Sequence, residues 1–282
     1  MNKEQQLIRD QQKTVWDAAS AGWRKYDEFN MNFLRFAGDA IIRGLELKPT
    51  DHVLDVAAGS GEPGLTIAGI VTEGSVISSD LSGEMLAIGR EKAAQRNIKN
   101  FTTQVCDACE LPYADATFDA ISCRFGFMFF PDVLLASREM ARVLKPGGKI
   151  AASVWGSPKE NRWVTAMSEA MAKHLEVPTP SPTGPGMFRL SDEGALATIF
   201  ATAGLKPISD IAIGGKNVYG SKEFFWSHLT DNVGPIRQIF SEADEPTRLK
   251  IKDDLFALLD SLNVGADCAL SYEARIIVAE KP

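Results

Sequence analysis

The chain has 282 residues, is 45% hydrophobic and carries a net charge of −7. That composition supplies a sizeable core and excludes a disordered chain. Its Lys and Arg are scattered rather than clustered, which argues against a surface that tracks nucleic-acid phosphates.

The first residues, MNKEQQLIRDQQK, are polar and lack the apolar centre of a signal peptide. No apolar run approaches the roughly 18–20 residues of a membrane span; the longest, FGFMFF, is stopped by Pro131. The expectation is a cytoplasmic protein without a transmembrane segment. Of the cysteines Cys106, Cys109, Cys123 and Cys268, only Cys106 and Cys109 form a CxxC. With no second pair and no nearby histidine it reads as coincidence, and no metal is expected.

Residues 4–46 read as helical, with Trp16, Trp23, Tyr26, Phe29, Phe33 and Phe36 set among charged residues. HVLDVA is then a short apolar run between Pro49 and a glycine loop, hence a buried strand. A helix is predicted from about Pro63 to Val71, since proline suits a first helical turn. SVISSD is a second strand. Ser82 caps the helix GEMLAIGREKAAQRN. FTTQVCDA and FDAISCRFGF are strands three and four. The helix VLLASREMARVL ends in a turn, Lys145-Pro-Gly-Gly, and KIAASVW is strand five.

This alternation predicts βαβ units, a parallel sheet and right-handed crossovers. In such sheets ligands bind beyond the carboxyl ends of the strands, where the strand order switches. The loop GSGEPG, Asp80, Asp107 and Arg124 each lie at such an end. Beyond Trp155 the alternation stops. Helices are expected over about 160–175, 191–204 and 221–262, with a proline-rich surface loop PTPSPTGPG at 178–186. GLKPISDIAI reads as strand six and SYEARIIVAEK as strand seven.

GSGEPG matches the G-x-G-x-x-G of dinucleotide loops, and Asp80 stands 19 residues after Gly61, where an acid for ribose hydroxyls belongs. The glycines alone leave a nicotinamide dinucleotide possible. Asp55 argues for something else. It opens the pattern Asp55-Val56-Ala57-Ala58-Gly59-Ser60-Gly61, where a carboxylate would repel a pyrophosphate and suit a cofactor bearing an ammonium group. S-adenosylmethionine carries that ammonium and no phosphate. Gly59 and Gly61 let backbone approach the ligand. Asp80 would accept from the ribose hydroxyls and Asp107 from the adenine amino group, with Leu81 and Met85 around the adenine.

VLDVAAGSG, SSDLSGEMLAIGREKA, CDACELPYADATFDAISCRFGFMFFPD and RVLKPGGKI, taken in order, resemble class I S-adenosylmethionine-dependent methyltransferases. The nearest branch is that of the ubiquinone and menaquinone C-methyltransferases, whose Y-D-x-x-N segment Tyr26 to Asn30 also resembles. The resemblance covers about residues 53–150. It implies a doubly wound, Rossmann-like α/β fold with a seven-stranded sheet and an antiparallel last strand. The helical material between strands six and seven is additional to the minimal fold.

Residues 1–46 are therefore expected to form a helical segment over the cofactor site. Residues 47–156 form the cofactor-binding core. Residues 157–282 supply helical lid insertions with strands six and seven of the same domain. The cofactor-site candidates are Trp23, Tyr26, Asp55, Ala57, Gly59, Ser60, Gly61, Asp80, Leu81, Met85, Asp107, Ala108 and Arg124. Arg124 is singled out because an unpaired charge ending an apolar strand is costly. His52 lies at the wrong end of strand one, while His174 and His228 lie where a lid would sit. No catalytic base is assigned, because displacement at a sulfonium needs mainly alignment and exclusion of water.

The expected activity is methyl transfer to a small apolar or aromatic acceptor that is quinone-, phenol- or lipid-like. The chain is expected to act without nucleic acid, and a homodimer is open. The alternatives are a nicotinamide-dependent oxidoreductase and a non-catalytic cofactor-binding protein on the same fold. An RNA methyltransferase is disfavoured by the acidic charge.

Overall fold

The computed structural model describes residues 2–176, 184–241, 243–262 and 264–282. Most of the proline-rich loop at 178–186 lies outside the described residues. The seven strands are β1 (His52–Val56), β2 (Ser75–Asp80), β3 (Phe101–Val105), β4 (Phe118–Arg124), β5 (Leu144–Trp155), β6 (Lys206–Val218) and β7 (Ala269–Glu280). They form one sheet in the order β3-β2-β1-β4-β5-β7-β6. The pairs β1–β2, β2–β3, β1–β4 and β4–β5 are parallel, and β7 runs antiparallel between β5 and β6. The order reverses between β3 and β4, so the switch point falls beside β1.

Alternate residues of β1 serve opposite faces, as its period of two dictates. Val53 packs with Ile41 and Leu65 on one side, while Leu54 packs with Phe118 and Met140 on the other. Both faces of a parallel sheet must be covered, which explains the nearly continuous apolar strands. One face carries α2 (Asp27–Leu45) and α3 (Gly64–Ala68), and α4 (Gly83–Gln95) packs near β2 and β3. The other face receives α5 (Val133–Val143), α6 (Arg162–Met171) and α7 (Ala195–Thr202).

The expected helix over 4–46 is two helices, α1 (Lys3–Lys25) and α2, broken at Tyr26. Tyr26 sits at φ −107°, ψ 21°, outside helical geometry, and ends one helix while opening the next. α1 is opened by a reciprocal cap in which Gln5 donates its amide to Asn2 Oδ1 and accepts from the Asn2 amide. The Lys145-Pro-Gly-Gly turn also differs from expectation, for β5 begins at Leu144. Gly147, at φ +76°, donates to the Lys281 carbonyl, and the β4–β5 register shifts there. The ladder thus runs on through a glycine kink.

The segment between β6 and β7 contains α8 (Lys222–Asn232), α9 (Gly234–Ser241) and α10 (Glu245–Ser261). α1 crosses α8 at Gly22, where a Cβ would overlap the Asp231 carbonyl. Only glycine allows the two helices to approach this closely. No helix among the described residues is long and apolar enough to cross a membrane.

Candidate active site: a cleft across five strand ends

A cleft opens at the carboxyl ends of β1 to β5. Each parallel strand contributes the residues just past its end. These include Ala57 to Ser60 after β1, Asp80 and Leu81 at β2, and Cys106 to Ala108 after β3. Arg124 to Gly126 follow from β4 and Trp155 ends β5. Ala57 and Phe125 hold the left-handed backbone at φ 53° and 58°, unusual for side chains that size. Two such residues facing one cleft are the kind of strain that concentrates at functional sites. Gly126 permits it, since a Cβ there would lie 2.6 Å from Ala57 Cβ and 2.8 Å from Cys123 Sγ.

Asp80 is clamped by backbone. Its Oδ2 accepts from the Gly59 amide at 2.9 Å and its Oδ1 from the Ser82 amide at 2.9 Å. Burial raises its pKa, against those hydrogen bonds. The first glycine of GSGEPG, at φ +52°, is therefore fixed to the end of the second strand. Asp107 Oδ1 accepts from the Cys109 amide at 2.8 Å. Its Oδ2 is buried without a partner among the described residues. The Ser60 hydroxyl is likewise buried and unpartnered. Met85 and Leu81 complete this end.

Asp55 is not in the cleft, contrary to the sequence reading. Strand alternation turns it to the α3 face, between its register neighbours Ser78 and Ser122. It is fully buried, accepting from Ser122 Oγ at 2.6 Å and from the Gly64 amide at 3.1 Å. Burial pushes its pKa up to about 7. The consequence lies at the start of α3. Pro63 has no N–H, Asp55 takes the Gly64 amide and the Gly61 carbonyl takes that of Leu65. Glu62 accepts from the amide and hydroxyl of Thr66 at 3.1 and 2.7 Å. The first three amides of α3, which would face a pyrophosphate at a helix N-terminus, are thus engaged, those of Gly64 and Thr66 by carboxylates.

Gly61 also lies behind the cleft wall. It has φ +100°, and a Cβ there would meet Gly89 Cα and Leu65 at 3.0 Å, so it serves the packing of α3 against α4. Tyr26 is displaced as well: its hydroxyl donates to Asp231 Oδ2 at 2.9 Å and its ring packs against Phe224 and His228. Trp23 does line the cleft, with its indole N–H buried and unpartnered. Arg124 lines it too. Among the described residues its guanidinium reaches the Leu34 carbonyl at 3.4 Å and Met31 Sδ at 3.9 Å, and burial lowers its pKa. No carboxylate among the described residues forms an ion pair with it. Thus Ala57, Gly59, Ser60, Asp80, Leu81, Met85, Asp107, Ala108, Arg124 and Trp23 meet in one cleft, and Asp55, Gly61 and Tyr26 support it from outside.

His52 contacts Ser75 at 2.8 Å, far from the cleft, and His174 pairs with Asp254 at 2.6 Å. His228 is in the cleft wall. It is 2% exposed, and burial lowers its pKa to about 4. Asn30 and Asn232, also in the wall, pair through their amides and meet the His228 ring. Sequence reading missed these two asparagines. The available signal was the inward face of α8, where Phe225, His228, Leu229 and Asn232 follow helical spacing with polar residues at two core positions. Trp16, Phe33, Phe129 and Trp163 extend the apolar wall.

Residues 53–148 match a family described as "Methyltransferase domain". A demethylmenaquinone methyltransferase of Bacillus mycoides (strain KBAB4) is 37% identical over 131 residues, 45% of this chain and 55% of that protein. The chain thus spans just over half of that relative's length. Among solved structures, a putative methyltransferase from Bacillus halodurans C-125 superposes with a TM-score of 0.58 at 18% identity, covering 87% of this chain and 98% of its own. The Haemonchus contortus phosphoethanolamine N-methyltransferase 2, complexed with phosphomonomethylethanolamine and S-adenosylhomocysteine, gives a TM-score of 0.52 at 19% identity. It covers 87% of this chain and 52% of its own. These two share the fold. Nothing in these matches supports a nicotinamide-dependent oxidoreductase.

Proposed function

We propose that this chain, which resembles class I S-adenosylmethionine-dependent methyltransferases, transfers a methyl group from S-adenosylmethionine to a small aromatic or apolar acceptor. The observation that carries the reading is the pairing of a sealed α3 N-terminus with two strand-end carboxylates facing the cleft. Such a site repels a diphosphate and receives a phosphate-free nucleoside. The S-adenosylhomocysteine held by one fold neighbour and the demethylmenaquinone activity named for one relative agree with it.

Asp80 would accept from the ribose hydroxyls while it holds Gly59. Asp107 Oδ2 would receive the adenine amino group, which accounts for an otherwise orphaned carboxylate oxygen. Arg124 would face a carboxylate, that of the methionine end or of the acceptor. When bound, the cofactor supplies an electrophilic methyl on a good leaving group. The chain then has to align the acceptor and exclude water. Trp16, Trp23, Phe129, Trp155 and Trp163 supply apolar walls suited to a planar acceptor. A quinone- or phenol-like ring fits them. The N-terminal 1–46 segment would act as a cover, since Gln12, Trp16 and Trp23 of α1 close one side. The chain is proposed to act in the cytoplasm.

Thermal unfolding with S-adenosylhomocysteine and, separately, NAD⁺ tests this. A ligand at a hundred times its Kd adds about 2.7 kcal/mol, which for a chain of this size raises Tm by about 5 °C. A rise with S-adenosylhomocysteine alone is expected; a rise with NAD⁺ alone would overturn the assignment.

A further inference from the structure

Ser82 joins three parts of the molecule. It stands between Asp80, at the end of β2, and the first turn of α4, and it is fully buried without lining the cleft. Its amide donates to Asp80 Oδ1 at 2.9 Å. Its hydroxyl oxygen accepts from the Met85 amide at 3.1 Å, which makes it the N-cap of α4. The single proton of that hydroxyl goes to Asp17 Oδ1 on α1, at 2.6 Å and 65 residues distant. Asp80 and Met85, the two residues that Ser82 holds, both line the cleft.

Asp17 does not line the cleft either, although its neighbour Trp16 does. Its second oxygen takes Lys13 Nζ, one turn earlier on α1, at 2.5 Å. Burial favours its protonation, but the bonds from Lys13 and Ser82 outweigh it and hold the pKa below the usual carboxylate value. Asp17 is therefore charged at neutral pH, and its bond from Ser82 is of the short, charge-assisted kind. It also stands at the N-terminus of α4, where the helix dipole favours a negative charge. The other ion pairs that tie α1 down, Arg24 with Glu91 and Lys25 with Asp231, join half-exposed side chains. The Asp17 bond differs from these because its partner is fully buried. Without Asp17, the buried Ser82 O–H would lose its acceptor, and an unsatisfied buried donor is costly.

We infer that Asp17 is a positioning residue that ties the seating of α1 to the nucleoside end of the cleft, through Ser82 to Asp80 and to the α4 turn carrying Met85. The sheet fixes where Asp80 stands. Asp17 sets how firmly Ser82 is held against it once α1 is down. Coupling of this kind is reciprocal: a seated α1 retains the ligand, and a bound ligand seats α1. A residue that touches no ligand thus governs how long the ligand stays. The inference rests on the methyl-transfer reading in calling the nucleoside bound at Asp80 the cofactor.

The test uses the full chain and S-adenosylhomocysteine, with affinity from titration calorimetry, dissociation rate from stopped flow, and amide hydrogen exchange with and without ligand. In Asp17→Ala, affinity falls about tenfold, nearly all of it as faster dissociation. Asp17→Asn keeps an acceptor for Ser82 and stays within about threefold of the wild type. So does Arg24→Ala, which removes an exposed tether of the same helix. Asp17→Ala with Ser82→Ala is no weaker than Ser82→Ala alone, because the two act through one bond. In the wild type, ligand slows exchange of the α1 amides around Asp17. An Asp17→Ala affinity within about twofold of the wild type overturns the inference, and so does full additivity with Ser82→Ala. Exchange in α1 that ligand leaves unchanged also overturns it; this is read in the wild type and decides even if the variants fail to fold. If the wild type binds no S-adenosylhomocysteine, the methyl-transfer reading falls, and exchange of the Ser82 amide without ligand decides alone. Faster exchange in Asp17→Ala but not in Asp17→Asn leaves Asp17 as the residue that positions Ser82, and equal exchange in all three removes that role.

Discussion

At the β1–β3 end of the cleft, both strand-end carboxylates are held by backbone, Asp107 by an amide two residues on and Asp80 by amides two and 21 residues away. At the other end His228 is held by an amide side chain 198 residues distant. The near end is thus made by the sheet itself, because strand ends in a parallel sheet converge whatever covers them. The far end exists only when α1, α2 and α8 are packed together. If the near end holds the cofactor and the far end the acceptor, as proposed, the two geometries are separable, and each can be broken with the other left standing.

The largest break is expected from Asp80→Ala. It removes a carboxylate that fixes Gly59 and Ser82 and, on the proposed reading, the acceptor for the cofactor ribose. Titration calorimetry should show S-adenosylhomocysteine affinity falling about a hundredfold or more, as for charge-assisted pairs.

Buried titrating groups sharpen the comparison next, because the two ends respond to pH with opposite sign. Asp55 has a folded pKa of about 7, above its ordinary 3.8, so the folded state holds the extra proton and stability falls as pH rises between those values. Asp55→Asn keeps an acceptor for the Gly64 amide and places its own N–H at the Ser122 hydroxyl, which can turn to accept. It should be more stable than the wild type at pH 8, by at most about 4 kcal/mol, and lose that advantage below pH 4. His228 has a folded pKa of about 4 against 6.5, so its contribution is present above pH 6.5 and lost as pH falls towards 4. Denaturant titrations of His228→Phe should lack that acid-side loss.

Gly126→Ala is smaller. Its methyl would press on Ala57 and Cys123, and overpacking of this kind costs about 1–3 kcal/mol, read as a lower Tm with weakened cofactor binding. Ser60→Ala is smallest. The hydroxyl has no partner among the described residues, so stability should be unchanged within about 0.5 kcal/mol, and cofactor affinity should fall less than about tenfold.

The same contrast explains what could be read in advance. The alternation of strands and helices gave the parallel sheet, and with it the positions of Asp80, Asp107 and Arg124; the antiparallel last strand was an expectation of the family resemblance alone. A strand end is a local property and leaves a local mark. Asp55 was legible as unusual, but its role was inverted, because period-two alternation aims it under α3 rather than into the cleft. Tyr26 was misplaced because a helical run gives no sign of a break set by packing against α8. Asn30 and Asn232 were invisible as a pair, since nothing at either position announces a partner 202 residues away.

The close crossing of α1 and α8 at Gly22 has a kinetic consequence. α1 is held over the cleft partly by ion pairs of half-exposed side chains, Arg24 with Glu91 and Lys25 with Asp231. Such pairs contribute little and are screened by salt. If α1 covers the cofactor as proposed, a spent cofactor would leave only when the helix lifts, and opening steps of this kind often limit turnover. Raising ionic strength would then shorten product residence and speed the catalytic cycle, a dependence opposite in sign to that of an enzyme limited by capturing a charged ligand.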